Sequence, residues 1–197
     1  MEIRQLRPSE RQSAADLLSR AMRDNPINMA VFGPDDACRQ RALALFFETA
    51  LQGLERRGLV LGAFGDGAML GVCGVAPPGQ CQPATPEKLR MVPVLLKTGS
   101  IATVLRTAHW VGEWARRDPP IAHWHLGPVA VAASARRGGV GGALVSAFCT
   151  RVDAAGGVAY LETDKRENIH FYERHGFSVT AEGEVLNITS WFMTRPS

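Results

Sequence analysis

Apolar residues alternate with polar ones near the start of the chain and then recur at helical spacing. Residues 2–6 alternate as in a β-strand, and the segment after Pro8 has apolar positions three and four residues apart up to Asn25-Pro26. Asp35-Asp36 is a typical N-terminal cap for a second helix that extends to about Arg57. The pattern therefore predicts one strand followed by two amphipathic helices.

Glycine and proline mark the turns in the middle of the chain. Apolar runs at residues 59–64 and 69–75 lie on either side of Gly65-Asp66-Gly67 and predict a β-hairpin. After a loop rich in proline and glycine over residues 77–86, a helical pattern begins that is interrupted near residues 98–100. This region predicts a hairpin, a loop and two helices.

Strands and helices alternate from residue 123 onward. The predicted strands are 123–131, 158–163, 177–182 and 188–194, and the predicted helices are 139–155 and 168–175. With the earlier elements this makes about seven strands with helices between them. We expect an α/β protein and one domain over residues 1–197, a length that suits a single hydrophobic core.

One glycine-rich turn carries the strongest chemical signal. Residues 129–142 run from an apolar strand into Arg-Arg-Gly-Gly-Val-Gly-Gly, which opens a helix. The first N–H groups of a helix have no intrahelical acceptor and lie at the positive end of its dipole, so they bind anions. Arg136 and Arg137 add positive charge, which predicts a pyrophosphate or polyphosphate site. A surface turn that only caps a helix is the alternative.

Two familiar phosphate-binding loops do not match this turn. A Walker loop requires Gly-Lys followed by Ser or Thr, and this segment contains no lysine. A dinucleotide-binding fingerprint that begins at Gly139 and Gly141 has Leu144 where the third glycine belongs. The predicted anion site therefore belongs to neither class.

The same residues resemble a third pattern. Arg136-x-x-Gly139-x-Gly141 resembles the R/Q-x-x-G-x-G/A signature of the GNAT superfamily of N-acetyltransferases, and residues 168–177 resemble the family's N-x-x-x-[FY]-Y-E-x-x-G-F helix and turn. The resemblance implies the GNAT-like acyl-CoA N-acyltransferase fold. That fold is a mixed, mostly antiparallel sheet of about seven strands, with helices on both faces and a V-shaped split beside the central strand.

The resemblance also implies acetyl-CoA as co-substrate and no metal ion. The loop would hold the pyrophosphate, and the pantetheine arm would pair with the strand before it, with the Val129 N–H facing the thioester carbonyl. Pro128 has no N–H, so we expect a bulge or a break in strand pairing beside it. The residues implied in binding the co-substrate are Val129, Ala130, Val131, Arg136, Arg137, Gly138, Gly139, Val140, Gly141, Gly142, Asn168 and Tyr172.

Three residues are candidates for proton transfer. By the resemblance, Tyr172 would protonate the departing CoA thiolate, because a phenol keeps its proton at neutral pH. His125 and Glu162 are alternative bases for the acceptor ammonium, and each has a structural alternative: a hydrogen-bonded strand histidine and a solvated strand end.

The implied reaction is transfer of an acetyl group to a primary amine of a small molecule, by direct attack in a ternary complex. Acetylation of a protein N-terminus or lysine is one alternative, and a non-catalytic acyl-CoA sensor of the same fold is another. Residues 25–34, interpreted as a loop, and a helical stretch with His109, Trp110 and Trp114 are candidates for the acceptor wall. A homodimer is possible.

Composition excludes several classes of protein. With 46% hydrophobic and 21% charged residues the chain is typical of a soluble globular protein, and its N-terminus is predicted to be a strand, not a signal peptide. The scattered cysteines favour a cytoplasmic location, where thiols stay reduced. The net charge of +3 is too small to indicate nucleic acid binding, and no apolar run is long enough for a membrane span. The four cysteines are scattered, without a nearby histidine pair, so we expect free buried thiols and no disulfide or zinc site.

Overall fold

A computed structural model describes residues 1–196 of the chain. The strands are β1 (Glu2–Gln5), β2 (Leu59–Gly65), β3 (Ala68–Ala76), β4 (His123–Val131), β5 (Val158–Thr163), β6 (Ser178–Val185) and β7 (Ile188–Arg195). The helices are α1 (Arg11–Ala21), α2 (Pro26–Phe32), α3 (Asp36–Arg57), α4 (Thr85–Thr98), α5 (Ile101–Ala115), α6 (Val140–Ala154) and α7 (Glu167–Glu173).

The boundaries of α3 show how local sequence sets a helix. The Asp35 carboxylate accepts a hydrogen bond from the Cys38 N–H at 2.7 Å, which caps the N-terminus, and Gly58 follows the last residue. The predicted interruption near residues 98–100 is also confirmed, because α4 ends at Thr98 and α5 begins at Ile101.

The interpretation of residues 25–34 as a loop is wrong. Pro26 occupies the first position of α2, where its missing N–H costs no hydrogen bond, and the helix runs to Phe32. A helix of seven residues is too short to show a helical period in the sequence. Likewise, α4 begins at Thr85, inside the segment expected to be a loop.

The sheet is mixed and mostly antiparallel, as predicted. Within residues 1–196 it has seven strands in the order β1-β2-β3-β4-β5-β7-β6, and the pair β4–β5 is parallel while every other pair is antiparallel. Strands β4 and β5 pair only from His123–Val158 to His125–Tyr160. Beyond that point β4 leaves its neighbour, which produces the predicted split at the centre of the sheet.

The irregularity predicted beside Pro128 is present on the other edge of β4. Cys73 of β3 pairs with Val129, whereas Val75 pairs with Leu126, so Gly74 faces two residues of β4. A Cβ atom at Gly74 would lie 2.1 Å from the Gly127 carbonyl oxygen, so the close approach of the two backbones requires glycine here.

The core lies on both faces of the sheet. Val60 and Val72 pack in a cluster with residues of α1 and α3, while their neighbours Leu61 and Cys73 pack in a second cluster with residues of α6. Successive strand residues point to opposite faces of the sheet, so the two clusters lie on opposite faces. Helices therefore cover both sides of the sheet, as the resemblance implies. None of the helices described in residues 1–196 is long and apolar enough to cross a membrane.

Candidate active site

The glycine-rich turn presents backbone N–H groups to solvent at the start of α6. Arg137 and Gly139 have φ angles of +64° and +78°, a region that turns the chain back on itself and favours glycine. Val140, Gly141 and Gly142 form the first turn of α6, so their N–H groups have no acceptor within the helix. These N–H groups are therefore available to an anion.

Packing of the protein does not explain why positions 141 and 142 are glycine. A Cβ atom at Gly141 would make ordinary contacts of 3.4 Å with Val131 and 3.5 Å with Phe171, and one at Gly142 would lie 3.6 Å from the His175 ring. A close approach of a ligand to the helix start would explain both glycines.

A cleft of about 530 Å³ lies between this turn, the free edge of β4 and α7. We call it the loop cleft. Every residue predicted to bind the co-substrate lines it except Gly138, whose N–H instead donates to the Ala135 carbonyl at 3.3 Å. The sequence therefore located this cleft almost completely.

Two N–H groups of β4 point into the split. The Ala132 N–H donates to the Leu70 carbonyl on β3 at 2.8 Å. Since N–H groups alternate between the two edges of a strand, those of Val129 and Val131 face away from β3 and toward the gap beside β5. They are placed to pair with an extended ligand.

A second cavity, of about 410 Å³, lies on the other side of the β4 edge. We call it the aromatic cavity, because its lining includes Phe46, Phe47, Trp110 and Trp114. The two tryptophan rings meet edge to face with centroids 5.2 Å apart, as expected for an i, i+4 pair. His109, which was predicted beside them in the acceptor wall, is exposed and lies outside this lining.

Tyr172 lies where the two cavities meet. Both are lined by Tyr172 together with Val129, Ala130, Val131, Arg136 and Asn168. The side chain of Tyr172 is 8% exposed, and burial raises the pKa of its phenol above the ordinary value. The phenol therefore keeps its proton at neutral pH, at a position open to both cavities.

His125 and Glu162 form one unit at the apex of the split. His125 Nε2 lies 2.7 Å from a Glu162 carboxylate oxygen, and both residues line the aromatic cavity. Burial is the largest single influence on the pKa of His125 and lowers it, but the charge and hydrogen bond of Glu162 together with Cys81 and Asp118 outweigh burial and raise that pKa to about 10. The two candidate bases are thus a hydrogen-bonded imidazolium–carboxylate pair.

Asp164 connects this site to α2. Its carboxylate accepts hydrogen bonds from the Ile27 N–H at 2.8 Å and from Asn25 Nδ2 at 3.4 Å, and burial raises the pKa of the carboxyl group. It thus caps a helix, but one 137 residues earlier in the chain. Sequence reasoning could not identify α2 as its partner, because nothing local in the sequence pairs the two segments.

Cys81 is a site residue that sequence reasoning missed. All four cysteines are free thiols, as expected, although Cys38 is exposed and Cys81 is half-buried. The loop that carries Cys81 brings its Sγ to 3.5 Å from the His123 carbonyl oxygen, beside the ring of His125. The chain thus has a histidine pair next to one cysteine in space, though not in sequence.

Comparison with known proteins identifies the fold. Residues 98–179 match the family model of the acetyltransferase (GNAT) domain. The structure is similar to that of a histone acetyltransferase HPA2 and related acetyltransferase from Corynebacterium glutamicum, with a TM-score of 0.76 and 21% identity over 98% of this chain and 94% of that chain.

Two further structures share the fold at lower similarity. One is a polyamine N-acetyltransferase from Drosophila melanogaster, with a TM-score of 0.60 and 14% identity over 100% of this chain and 99% of that chain. The other is a GNAT family acetyltransferase from Brucella melitensis in complex with acetyl-CoA. It has a TM-score of 0.54 and 19% identity over 99% of this chain and 86% of that chain.

Proposed function

We propose that the protein transfers the acetyl group of acetyl-CoA to a primary amine of a small molecule. The match of residues 98–179 to the acetyltransferase (GNAT) family model and the fold shared with solved acetyltransferases support this proposal. The observation that carries this proposal is the shared wall of two cavities. One cavity has the backbone chemistry for a pyrophosphate, the other has aromatic walls, and Tyr172 lines both.

Acetyl-CoA would occupy the loop cleft. Its pyrophosphate would accept hydrogen bonds from the N–H groups that open α6, with Arg136 and Arg137 supplying charge. The pantetheine arm would continue along the free edge of β4 and pair with the Val131 backbone. The thioester then reaches the junction of the cavities, with its carbonyl oxygen toward the Val129 N–H.

The reaction would proceed by direct attack. The amine nitrogen bonds to the thioester carbon, and the Val129 N–H stabilises the oxyanion of the tetrahedral intermediate. The Glu162 carboxylate, oriented by its hydrogen bond with His125, receives the proton that the amine loses. As the carbon–sulfur bond breaks, Tyr172 donates its phenolic proton to the CoA thiolate, which leaves as the thiol.

The aromatic cavity supports a small acceptor. Its volume lies in the range of pockets that bind small molecules, and four aromatic rings favour a compact amine with an apolar or planar body. The carboxylates of Glu162 and Asp164 in the same lining suit its ammonium group before deprotonation. The Drosophila protein acts on a polyamine and the Corynebacterium protein is described as a histone acetyltransferase, so relatives of this fold use both classes of acceptor.

A direct assay tests the proposal. The protein is incubated with acetyl-CoA and either a panel of aromatic and aliphatic primary amines or a peptide with a free N-terminus and a lysine. We expect release of CoA thiol and an acetylated small amine detected by mass spectrometry. Acetylation of the peptide alone would replace the proposal with a protein acetyltransferase, and binding of acetyl-CoA without turnover of any acceptor would replace it with a sensor.

A further inference from the structure

Cys81, His123 and His125 converge at the edge of the aromatic cavity, where Cys81 and His125 form part of the lining and His123 lies beside them. The metal-binding atoms that these three side chains offer lie within 4.8 Å of one another, although the residues come from a loop and from β4. His123 and His125 are two positions apart on the strand, so their side chains share one face. The loop that contains Cys81 lays the thiol against that face.

One nitrogen of each imidazole is already engaged away from the thiol. His123 Nδ1 hydrogen-bonds the Ile121 carbonyl oxygen at 2.8 Å, and His125 Nε2 bonds the Glu162 carboxylate at 2.7 Å. Histidines that bind metal ions usually donate their second N–H to a backbone carbonyl or a carboxylate, which fixes the ring and its tautomer. Both kinds of partner occur here.

The other nitrogen of each ring is buried without a partner. Neither His123 Nε2 nor His125 Nδ1 has a hydrogen-bond partner of ordinary geometry in residues 1–196, and His123 is only 7% exposed. The polar group that lies beside both rings is the Cys81 thiol. A buried polar atom without a partner carries a free-energy cost, so such atoms require an explanation. A cation held between the two nitrogens and the thiolate would satisfy both.

We infer that Cys81 Sγ, His123 Nε2 and His125 Nδ1 form a binding site for Zn²⁺ at the edge of the aromatic cavity. Zn²⁺ prefers this combination of thiolate and imidazole ligands, and in a tetrahedral site the ligand atoms lie about 3.3–3.6 Å apart. The present spacing is at most 4.8 Å, so each ligand pair would have to shorten by no more than about 1.5 Å to reach that geometry. Binding releases the thiol proton and any proton on His125 Nδ1, while the hydrogen bond from His125 Nε2 to Glu162 is retained.

Three protein ligands leave a fourth position for water or a ligand group. Cys81 and His125 both line the aromatic cavity, so this position faces the space proposed for the acceptor. The ion ties the loop of Cys81 to β4 and orients His125. Acetyl transfer as proposed above needs no metal, so the zinc site and the reaction can succeed or fail separately.

A neighbouring group of side chains does not form a better site. Asp118, His125 and Glu162 also bring metal-binding atoms within 4.8 Å of one another. An ion there would compete with the hydrogen bond between His125 and Glu162, and it would leave His123 Nε2 without a partner. The cysteine-containing set accounts for both unpartnered nitrogens.

Cobalt substitution tests the site directly. Untagged, metal-free protein is titrated with Co²⁺, and Zn²⁺ is then added in competition. We expect one equivalent of Co²⁺, the intense visible bands of a four-coordinate ion, a near-ultraviolet thiolate-to-cobalt charge-transfer band, and displacement of Co²⁺ by Zn²⁺. Zn²⁺ should also raise the melting temperature of the wild-type protein.

Variants assign the ligands. Cys81→Ser should abolish the charge-transfer band, and His123→Gln should weaken Zn²⁺ affinity at least tenfold, whereas Cys38→Ser, at an exposed thiol outside the cluster, should change neither. Absence of the charge-transfer band in wild-type protein overturns the proposal whether or not the variants fold. So does stable acetylation of Cys81 by acetyl-CoA without an acceptor, which would make the thiol a nucleophile instead.

Discussion

The loop cleft and the aromatic cavity share a wall but are assembled in different ways. Two chain segments, residues 129–142 and 168–175, contribute the whole lining of the loop cleft. The aromatic cavity draws on helices α1, α2, α3, α5 and α7, on the loop around Cys81, on most of β4 and on the end of β5. Recognition of a phosphate by backbone N–H groups requires only a local turn, whereas an acceptor pocket made of side chains requires distant elements to meet.

The largest effect we expect is on protonation of the CoA thiolate by Tyr172, in the wall that the two cavities share. Tyr172→Phe keeps the ring and its packing but removes the proton donor, so kcat should fall about 10²- to 10⁴-fold while acetyl-CoA affinity changes little. The chain has one other tyrosine for comparison. Tyr160→Phe loses a hydrogen bond to the Arg117 carbonyl and should cost about 1 kcal/mol of stability with kcat nearly unchanged.

Steady-state kinetics under conditions where chemistry limits turnover, with calorimetry for acetyl-CoA, separates the two variants. If Tyr172→Phe retains near-wild-type kcat, Tyr172 is a packing residue and another group protonates the thiolate.

The second largest effect we expect is on CoA binding in the loop cleft. A leucine side chain at position 141 would project into the cleft, where the first N–H groups of α6 would face the pyrophosphate of the proposed co-substrate. Each lost hydrogen bond to a charged group costs about 1.5–3 kcal/mol, so Gly141→Leu should weaken CoA binding roughly 10- to 100-fold.

Gly112→Leu is the matched control, since Gly112 is a helical glycine in α5 with comparable room. Calorimetric titration with CoA should show little change for that variant. Equal losses in both variants would mean that the turn only caps α6.

A smaller effect should be confined to the aromatic cavity. Trp110→Phe shortens the wall but keeps an aromatic ring against Phe46, whose centroid lies 6.0 Å away. We expect KM for the acceptor to rise about three- to tenfold, the value of one aromatic contact, while CoA affinity is unchanged. Trp191→Phe, in β7 and outside both cavities, should leave KM unchanged. A change in CoA affinity with Trp110→Phe would show that the two cavities are not independent.

The smallest effect concerns the anchor between β5 and α2. Burial raises the pKa of Asp164 in the folded protein above the ordinary value near 3.8, so its stabilising contribution is complete below pH 3.8 and is lost as pH rises through the folded value. Asp164→Asn cannot titrate. The free energy of unfolding of wild type minus that of the variant should therefore fall as pH rises from 3.8 toward neutrality.

Urea denaturation over a pH series measures this difference. Glu10→Gln should give the opposite slope, because the hydrogen bond from Arg4 lowers the pKa of Glu10 to about 2 and its contribution is lost as pH falls. A flat difference for Asp164→Asn would mean that folding does not shift the pKa of Asp164, and a rising one would mean that the folded protein stabilises the charged carboxylate; either contradicts the prediction.

Most of the fold and nearly all of the loop cleft were predictable from sequence. Period-two and helical patterns predicted the strands and most helices, and Gly139 and Gly141 at the start of a helix predicted an anion site. These signals are readable because each depends on residues within a few positions of one another. The short α2 was missed, since its seven residues carry no helical period.

The hydrogen bond between His125 and Glu162 could not be predicted from such local patterns. As separate residues they were alternative bases, whereas the parallel pairing of β4 and β5 joins them at 2.7 Å. A strand pattern predicts which face a side chain occupies but not which strand lies beside it.

By itself, the sequence predicted the glycine-rich turn that opens α6 and the order along the chain of the strands and of the helices other than α2. Only the tertiary structure decided that Asp164 caps a helix 137 residues earlier and that Cys81 meets two histidines of β4. Local backbone preferences act between neighbours in sequence, so they can be read along the chain. Contacts between side chains that are far apart in sequence depend on how the sheet and helices pack. The pattern of residues along the chain does not specify which distant segments come together.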